Sequence, residues 1–288
     1  MKSLGIIANV NKESMPEVVQ KIIQWCSKTK IDFFLSEEVA SLLGHKGKSF
    51  AREELWEHSE IVVSLGGDGT MLAAARAVGE HQTPILGINV GSLGFLTEIT
   101  ANHLTTTLDL IKAGDFYIEK RMVLAGEVEG VDSKSLFALN DLVVDKGGVA
   151  RLLQFHLYDN EELVCSYSAD GLIISTPTGS TAYSLASGGP VINPTMNAII
   201  VTPICPHTLA IRSIIFSENE KLKVVVEREQ HAPTLTADGQ VAVTLKPGAV
   251  IKIGKAEHTV NLIKFKGKSF YDILRTKLHW GVKPKGDQ

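Results

Sequence analysis

Cysteine is scarce in this 288-residue chain: only Cys26, Cys165 and Cys205 occur, far apart and each beside apolar neighbours. That spacing encodes neither a disulfide framework nor a thiolate zinc site, and buried free thiols are expected at all three. The nine histidines show no HExxH or His-x-x-x-His spacing, so the common zinc-hydrolase arrangement is missing as well. Positive charge is not in excess, 29 Lys and Arg standing against 32 Asp and Glu for a net charge of -3. A nucleic-acid footprint and a polybasic membrane-docking run are both missing, which favours small-molecule or protein partners. No apolar segment reaches membrane-spanning length. The opening residues MKSLGIIANV carry one lysine and a short apolar run that reads as a first strand rather than a signal peptide, so a cytoplasmic protein is expected.

What is present is a globular composition, 44% hydrophobic and 21% charged, in a chain long enough for two domains. Apolar strand-like runs alternate with amphipathic segments over 4–10, 16–29, 31–35, 61–65, 70–78 and 84–90, an order that predicts an α/β domain. Val18, Val19, Ile22, Ile23 and Trp25 recur every three to four residues, giving the first helix one face to lay on the sheet, and Pro16 suits its first turn. From about Tyr117 the texture changes to strand patterns at 123–128, 136–144, 152–157 and 221–226, separated by Gly, Asp and Asn turn signals, which predicts a β-rich second domain. Phe270, Ile273, Leu274 and Leu278 predict a helix over 269–278.

The run 61–65 leads straight into Gly66-Gly67-Asp68-Gly69-Thr70 and then into a helical segment over 71–78. A glycine-rich turn between strand and helix is where α/β sheets hold ligands. Gly66, Gly67, Gly69 and Thr70 would form a phosphate loop, the glycines allowing close backbone approach and the helix start adding partial positive charge, with Asp68 held against the anion. The plainer alternative is a tight turn with Asp68 as helix N-cap. Two look-alikes fail: Gly67-Asp68-Gly69 lacks the third glycine of a dinucleotide fingerprint because Leu72 stands there, and Gly47-Lys48-Ser49 lacks the upstream glycine of a Walker loop because Leu42 does.

Two more segments carry chemistry. Asn140-Asp141 sets an amide beside a carboxylate, a pair able to donate to and accept from ribose hydroxyls or adenine edges, or simply to close a strand with a turn. The run 170–190, DGLIISTPTGSTAYSLASGGP, feeds a strand into Thr, Ser and Gly residues whose hydroxyls and backbone N–H groups can line a polar pocket, with Tyr183 offering a ring and a phenol.

The turn GGDGT resembles the signature of a kinase superfamily that includes NAD kinases and the diacylglycerol and sphingosine kinases, with 6-phosphofructokinases more distant. Asn140-Asp141 resembles the short Asn-Glu motif of NAD kinases, and 170–190 resembles their most specific motif. With Gly91-Ser92-Leu93-Gly94-Phe95-Leu96, Pro206-His207-Thr208-Leu209 and Asp238-Gly239-Gln240 in the same order, the chain is similar to NAD kinases over nearly its whole length. The resemblance implies an α/β N-terminal domain over 1–116, a β-sandwich-like NAD-binding domain over 117–267, and a C-terminal helix within 268–288 returning to the first domain. It implies Asp68 as the catalytic residue, with Gly69 beside it at the attacked hydroxyl and phosphates. Asn140, Asp141, Arg151, Ser168, Asp170, Thr181, Ala182, Tyr183, Ser184, Leu185, Ala186 and Gln240 match its dinucleotide-contacting positions. Two positions depart: Asp141 stands where many relatives have glutamate, and Ser168 where some have arginine.

The reaction so implied is in-line attack of the 2′-hydroxyl of the adenosine ribose of NAD on the γ-phosphorus of ATP, or on another phosphoryl donor, giving NADP, with Mg²⁺ held through the donor phosphates and no metal fixed by the protein. NAD and ATP are the expected partners, in a homodimer or homotetramer, with no nucleic acid and no membrane. A lipid kinase shares the glycine-aspartate turn but needs an apolar acceptor pocket, which the polar 170–190 run argues against. A silent dinucleotide sensor would keep the pocket without turnover.

Overall fold

The structure, a computed structural model, describes residues 1–280 apart from 46, 92, 98, 130–134, 148–151, 209, 228–231 and 268. It divides into two compact units, Met1–Lys120 with Val260–Gln288, and Arg121–Thr259.

The first unit runs β1 (Ser3–Ala8), α1 (Met15–Thr29), β2 (Asp32–Ser36), α2 (Glu37–Leu43), β3 (Ser49–Phe50), α3 (Leu55–His58), β4 (Ile61–Gly66), α4 (Asp68–Val78), β5 (Ile85–Asn89), β6 (Ile99–Thr100) and α5 (Leu104–Ala113). Its strands lie in the order β5-β4-β1-β2-β3 and pair in parallel throughout. All six residues of β4 are buried, as in a central strand covered on both faces. The face of α1 forms largely as its periodicity predicts: Val18, Val19, Ile22 and Trp25 are buried together with Cys26, Ile23 is only half-buried, and Pro16 stands in the first turn. The α1 face joins one core with Leu104, Leu108 and Ile111 of α5. Trp25 Nε1 also donates to Asp109 Oδ1 at 2.8 Å, which satisfies the N–H of the buried indole.

The chain passes into the second unit within β7 (Tyr117–Val128) and continues through β8 (Leu136–Ala138), β9 (Asp141–Asp145), β10 (Leu153–Asp159), β11 (Glu162–Ala169), β12 (Gly171–Ser175), α6 (Tyr183–Ala186), β13 (Ala198–Ile204), β14 (Ile214–Ser217), β15 (Leu222–Val226), β16 (Thr234–Ala237), β17 (Val241–Thr244) and β18 (Val250–Lys264). One antiparallel sheet has the order β14-β13-β12-β9-β16-β17. A second carries β11-β10-β15-β18, also antiparallel. Leu142, Val144, Leu172, Ile174 and Val201 from the first sheet share one core with Phe155, Leu157, Val224, Val226 and Ile251 from the second, so this unit is a β-sandwich. Back in the first unit, Leu262 of β18 pairs in parallel with Ile85. The terminal helix α7 (Phe270–Leu278) opens on a reciprocal capping box between Ser269 and Asp272.

Several expectations need correcting. Helix α4 begins at Asp68, three residues before the expected start. The single strand expected over 136–144 is two, because the backbone at Leu139 and Asn140 leaves the ladder to bond elsewhere. Helices α2 and α5 were not foreseen; the run Thr105-Thr106-Thr107 in α5 is β-branched and masks the helical period. Of the three thiols only Cys26 is buried, its pKa pushed up to about 11 by that burial, whereas Cys165 is half-buried and Cys205 is exposed in a turn with φ 46°. Among the described residues no helix is long and apolar enough to cross a membrane.

Candidate active site

In the first unit the glycine-aspartate turn closes β4 and opens α4. Gly67 is the N-cap and makes no side-chain cap bond, and Asp68 is already helical, so Asp68 is not the cap. Its carboxylate instead faces the loop after β5. Phe95 N–H donates to Oδ2 at 2.8 Å, while Leu96 N–H, Thr97 N–H and the Thr97 hydroxyl reach Oδ1 at 3.1, 3.3 and 3.2 Å. Four donors on one carboxylate fix its plane and rotamer. Gly94 permits this approach: a Cβ there would stand 2.0 Å from Asp68 Oδ1. Behind the loop, Asn89 Nδ2 donates to Thr97 Oγ1 at 2.8 Å, and both side chains are buried. Around the turn, a Cβ on Gly66 would strike the Thr70 hydroxyl at 2.1 Å, whereas Gly67 and Gly69 border open space. The turn therefore sets a clamped carboxylate beside Gly67, which borders open space, a combination suited to the close approach of an anionic ligand.

In the second unit a second aspartate organises backbone in the same way. Asp238 sits in the turn between β16 and β17 with φ 52°. Its Oδ1 accepts from Asn140 N–H at 2.7 Å and Asp141 N–H at 3.2 Å, and its Oδ2 from Leu139 N–H at 3.1 Å. This grip breaks the β8–β9 strand at Asn140. Thr176 locks the same point from the other side, its N–H donating to Asn140 O at 2.8 Å and its hydroxyl to Leu139 O at 2.6 Å. Gly179 has no room for a side chain, since a Cβ would meet Asn140 O at 2.1 Å. Asp141 is 5% exposed; burial, with the charge of Asp238 adding, pushes its carboxyl up to about 7.

Most serine and threonine hydroxyls of the 176–189 run bond within the protein. Ser180 donates to Pro177 O at 2.7 Å and accepts from Ile192 N–H, Thr181 donates to Thr178 O, Ser184 bonds the Thr202 hydroxyl at 3.0 Å, and buried Arg121 donates to Thr178. They build the loop, because a buried hydroxyl without a partner is costly. The residues of the run left with exposure are Thr181, Ala182, Tyr183, Leu185, Ala186, Ser187 and Gly188, with Tyr183 47% exposed. Of the other expected contacts, Ser168 donates to Gln154, Asp170 pairs with Lys146 at 2.6 Å, and Gln240 lies exposed in the Asp238 turn. Arg151 lies outside the described residues.

Profiles of the ATP-NAD kinase N-terminal and C-terminal domains match residues 4–116 and 139–265. The chain belongs to the NAD kinase family. It is 41% identical over 280 residues to the NAD kinase of Caldanaerobacter subterraneus subsp. tengcongensis, covering 96% of this chain and 99% of that one. It is 39% identical over 283 residues to the NAD kinase of Syntrophotalea carbinolica, covering 98% and 99%. In fold it is similar to yeast NADH kinase complexed with NADH, with a TM-score of 0.91 at 22% identity over 100% of this chain and 90% of that one. The Archaeoglobus fulgidus NAD kinase in complex with ATP follows with a TM-score of 0.76 at 24% identity over 97% and 99%.

Against this NAD kinase framework, the sequence motifs carry Asp238 and Thr176 without revealing what they do, and sequence reasoning missed Thr97 and Asn89. Asp238-Gly239 is legible as a turn, but only the bonds to residues 139–141 reveal that the turn shapes the Asn140-Asp141 site.

Proposed function

We propose that Asp68 is the proton acceptor with which this NAD kinase moves the γ-phosphoryl group of ATP onto the 2′-hydroxyl of the adenosine ribose of NAD, giving NADP. The observation that carries the proposal is the clamped carboxylate: Asp68 stands at the start of α4 beside the glycine turn, held by Phe95, Leu96 and Thr97. A carboxylate is a weak base, and in a loose phosphoryl-transfer transition state the attacking oxygen loses its proton late, so an aligned weak base suffices. Mg²⁺ enters with ATP as part of the donor substrate and spreads the charge that develops on the phosphate oxygens.

In this reading NAD is held by the Asn140-Asp141 corner, the exposed Tyr183 ring and the backbone around Thr181, Ala182, Leu185 and Ala186, with Ser168, Asp170 and Gln240 contributing. Ser184 acts from beneath through Thr202. The three free cysteines fit a cytoplasmic setting, where thiols stay reduced. Assembly into a homodimer or homotetramer is part of the same proposal, and light scattering of the purified protein tests it.

The reaction is tested by NADP formation from NAD, ATP and Mg²⁺, followed with an NADP-dependent dehydrogenase. Competitive inhibition without turnover by 2′-deoxy-NAD is the expected result. Phosphorylation of that analogue would exclude the 2′-oxygen as acceptor.

A further inference from the structure

The two oxygens of Asp68 are not equivalent. Oδ1 takes three donors, from Leu96 N–H, Thr97 N–H and the Thr97 hydroxyl, whereas among the described residues Oδ2 takes only Phe95 N–H. A carboxylate oxygen offers about two lone-pair sites, so Oδ1 is saturated and Oδ2 keeps one site open. The direction of the Thr97 bond follows from chemistry. An ionised carboxylate cannot donate, so the 3.2 Å contact uses the one hydroxyl proton of Thr97. The Thr97 oxygen must then accept from Asn89, which requires the Asn89 amide nitrogen to face it, the orientation found at 2.8 Å. With Asn89 and Thr97 both buried, water does not compete for either bond.

We infer that Oδ2 is the oxygen that receives the ribose proton, and that Thr97, oriented by Asn89, is a positioning residue that ties up Oδ1 and turns Oδ2 toward the acceptor. The inference rests on Asp68 being the base. In the step so described, the 2′-oxygen forms its bond to the γ-phosphorus while its proton passes to Asp68 Oδ2. The bond between that phosphorus and the β–γ bridging oxygen breaks, and its electron pair leaves with ADP. The Asn89–Thr97 pair takes no part in bond making; it holds the carboxylate in the rotamer that the transition state needs, where misplacement lowers kcat rather than binding.

The test compares Thr97→Val, Thr97→Cys and Thr97→Ser with wild type, measuring kcat and both KM values in the NADP assay together with the melting temperature. Valine keeps the branched shape without a donor, cysteine replaces the hydroxyl with a weak donor, and serine keeps the hydroxyl. Thr97→Val and Thr97→Cys are expected to lower kcat about tenfold, the scale of one hydrogen bond to a charged group, with KM unchanged. Thr97→Ser is expected to stay within about twofold of wild type, since the charged bond survives. If Thr97→Val fails to fold, the cysteine–serine pair decides alone. Wild-type kcat in the cysteine variant, equal losses in the serine and cysteine variants, or a change confined to KM would overturn the inference. Asp68→Asn in parallel separates the two readings. An inactive Asp68→Asn with a fully active Thr97→Cys removes only the positioning role, whereas full turnover by Asp68→Asn removes the base itself.

Discussion

Two aspartates, one in each unit, perform the same structural act with opposite consequences. Asp68 gathers the backbone N–H groups of Phe95, Leu96 and Thr97; Asp238 gathers those of Leu139, Asn140 and Asp141. At Asp68 the loop serves the carboxylate, fixing one side chain beside a glycine turn whose neighbours leave space. At Asp238 the carboxylate serves the loop, bending a strand so that Asn140 and Asp141 stand at its break. Three amides around a carboxylate therefore do not mark a base. What separates the two is which partner is the proposed functional group, the carboxylate itself at Asp68 and the gripped backbone corner at Asp238.

Exchanging charge for amide at Asp68 breaks this comparison most sharply. Asp68→Asn is expected to lower kcat about 1000-fold, within the range for loss of a general base, while NAD binding measured by calorimetry persists. Gly94→Ala reaches the same carboxylate from outside. Its new Cβ would sit 2.0 Å from Oδ1, and the forced displacement is expected to cost about 100-fold in kcat. Stopped turnover with an intact melting curve would place both effects on the chemistry; a collapsed melting curve in Asp68→Asn would put Asp68 in the same structural class as Asp238.

Asp238→Ala has the reverse signature. It leaves the N–H groups of residues 139–141 without their acceptor, and because the site is partly open to water the expected loss is about 2 kcal/mol of unfolding free energy. Denaturant unfolding measures that loss. The KM for NAD is expected to rise as the Asn140-Asp141 corner loosens, with kcat at saturating NAD nearly unchanged. A kcat loss matching that of Asp68→Asn, at unchanged KM, would erase the distinction between the two aspartates.

How far these sites could be read in advance depends on the range of the interactions. The β4 turn was legible because a buried strand, three glycines and an aspartate are contiguous, and the α1 face because its period is local. The grip of Asp238 on Asn140 spans 98 positions and that of Asp68 on Phe95 spans 27, so neither leaves a local pattern. The Ser and Thr run is legible only in part for a related reason. Composition announces hydroxyls but not whether they point at a ligand or at their own backbone, and Ser180 and Ser184 point inward. Cys205 was misjudged because apolar neighbours on one side did not reveal that the strand ends at Ile204.

The smallest effect concerns Asp141, which shares its corner with Asp238. Its carboxyl is raised from an ordinary 3.8 to about 7, so between those values the folded chain holds a proton that the unfolded chain has released. Stability from this group is therefore greatest below pH about 4, falls as pH rises through about 7, and is flat beyond. Asp141→Asn removes the titration. It is expected to match wild type near pH 4 and to exceed it by about 1–2 kcal/mol near pH 8, less than the full pKa difference implies because the corner can relax and admit water. Denaturant unfolding at the two pH values measures this. An advantage at pH 8 that vanished in an Asp238→Asn background would assign the strain to repulsion between the two carboxylates; one that persisted would assign it to burial, the larger of the two causes here.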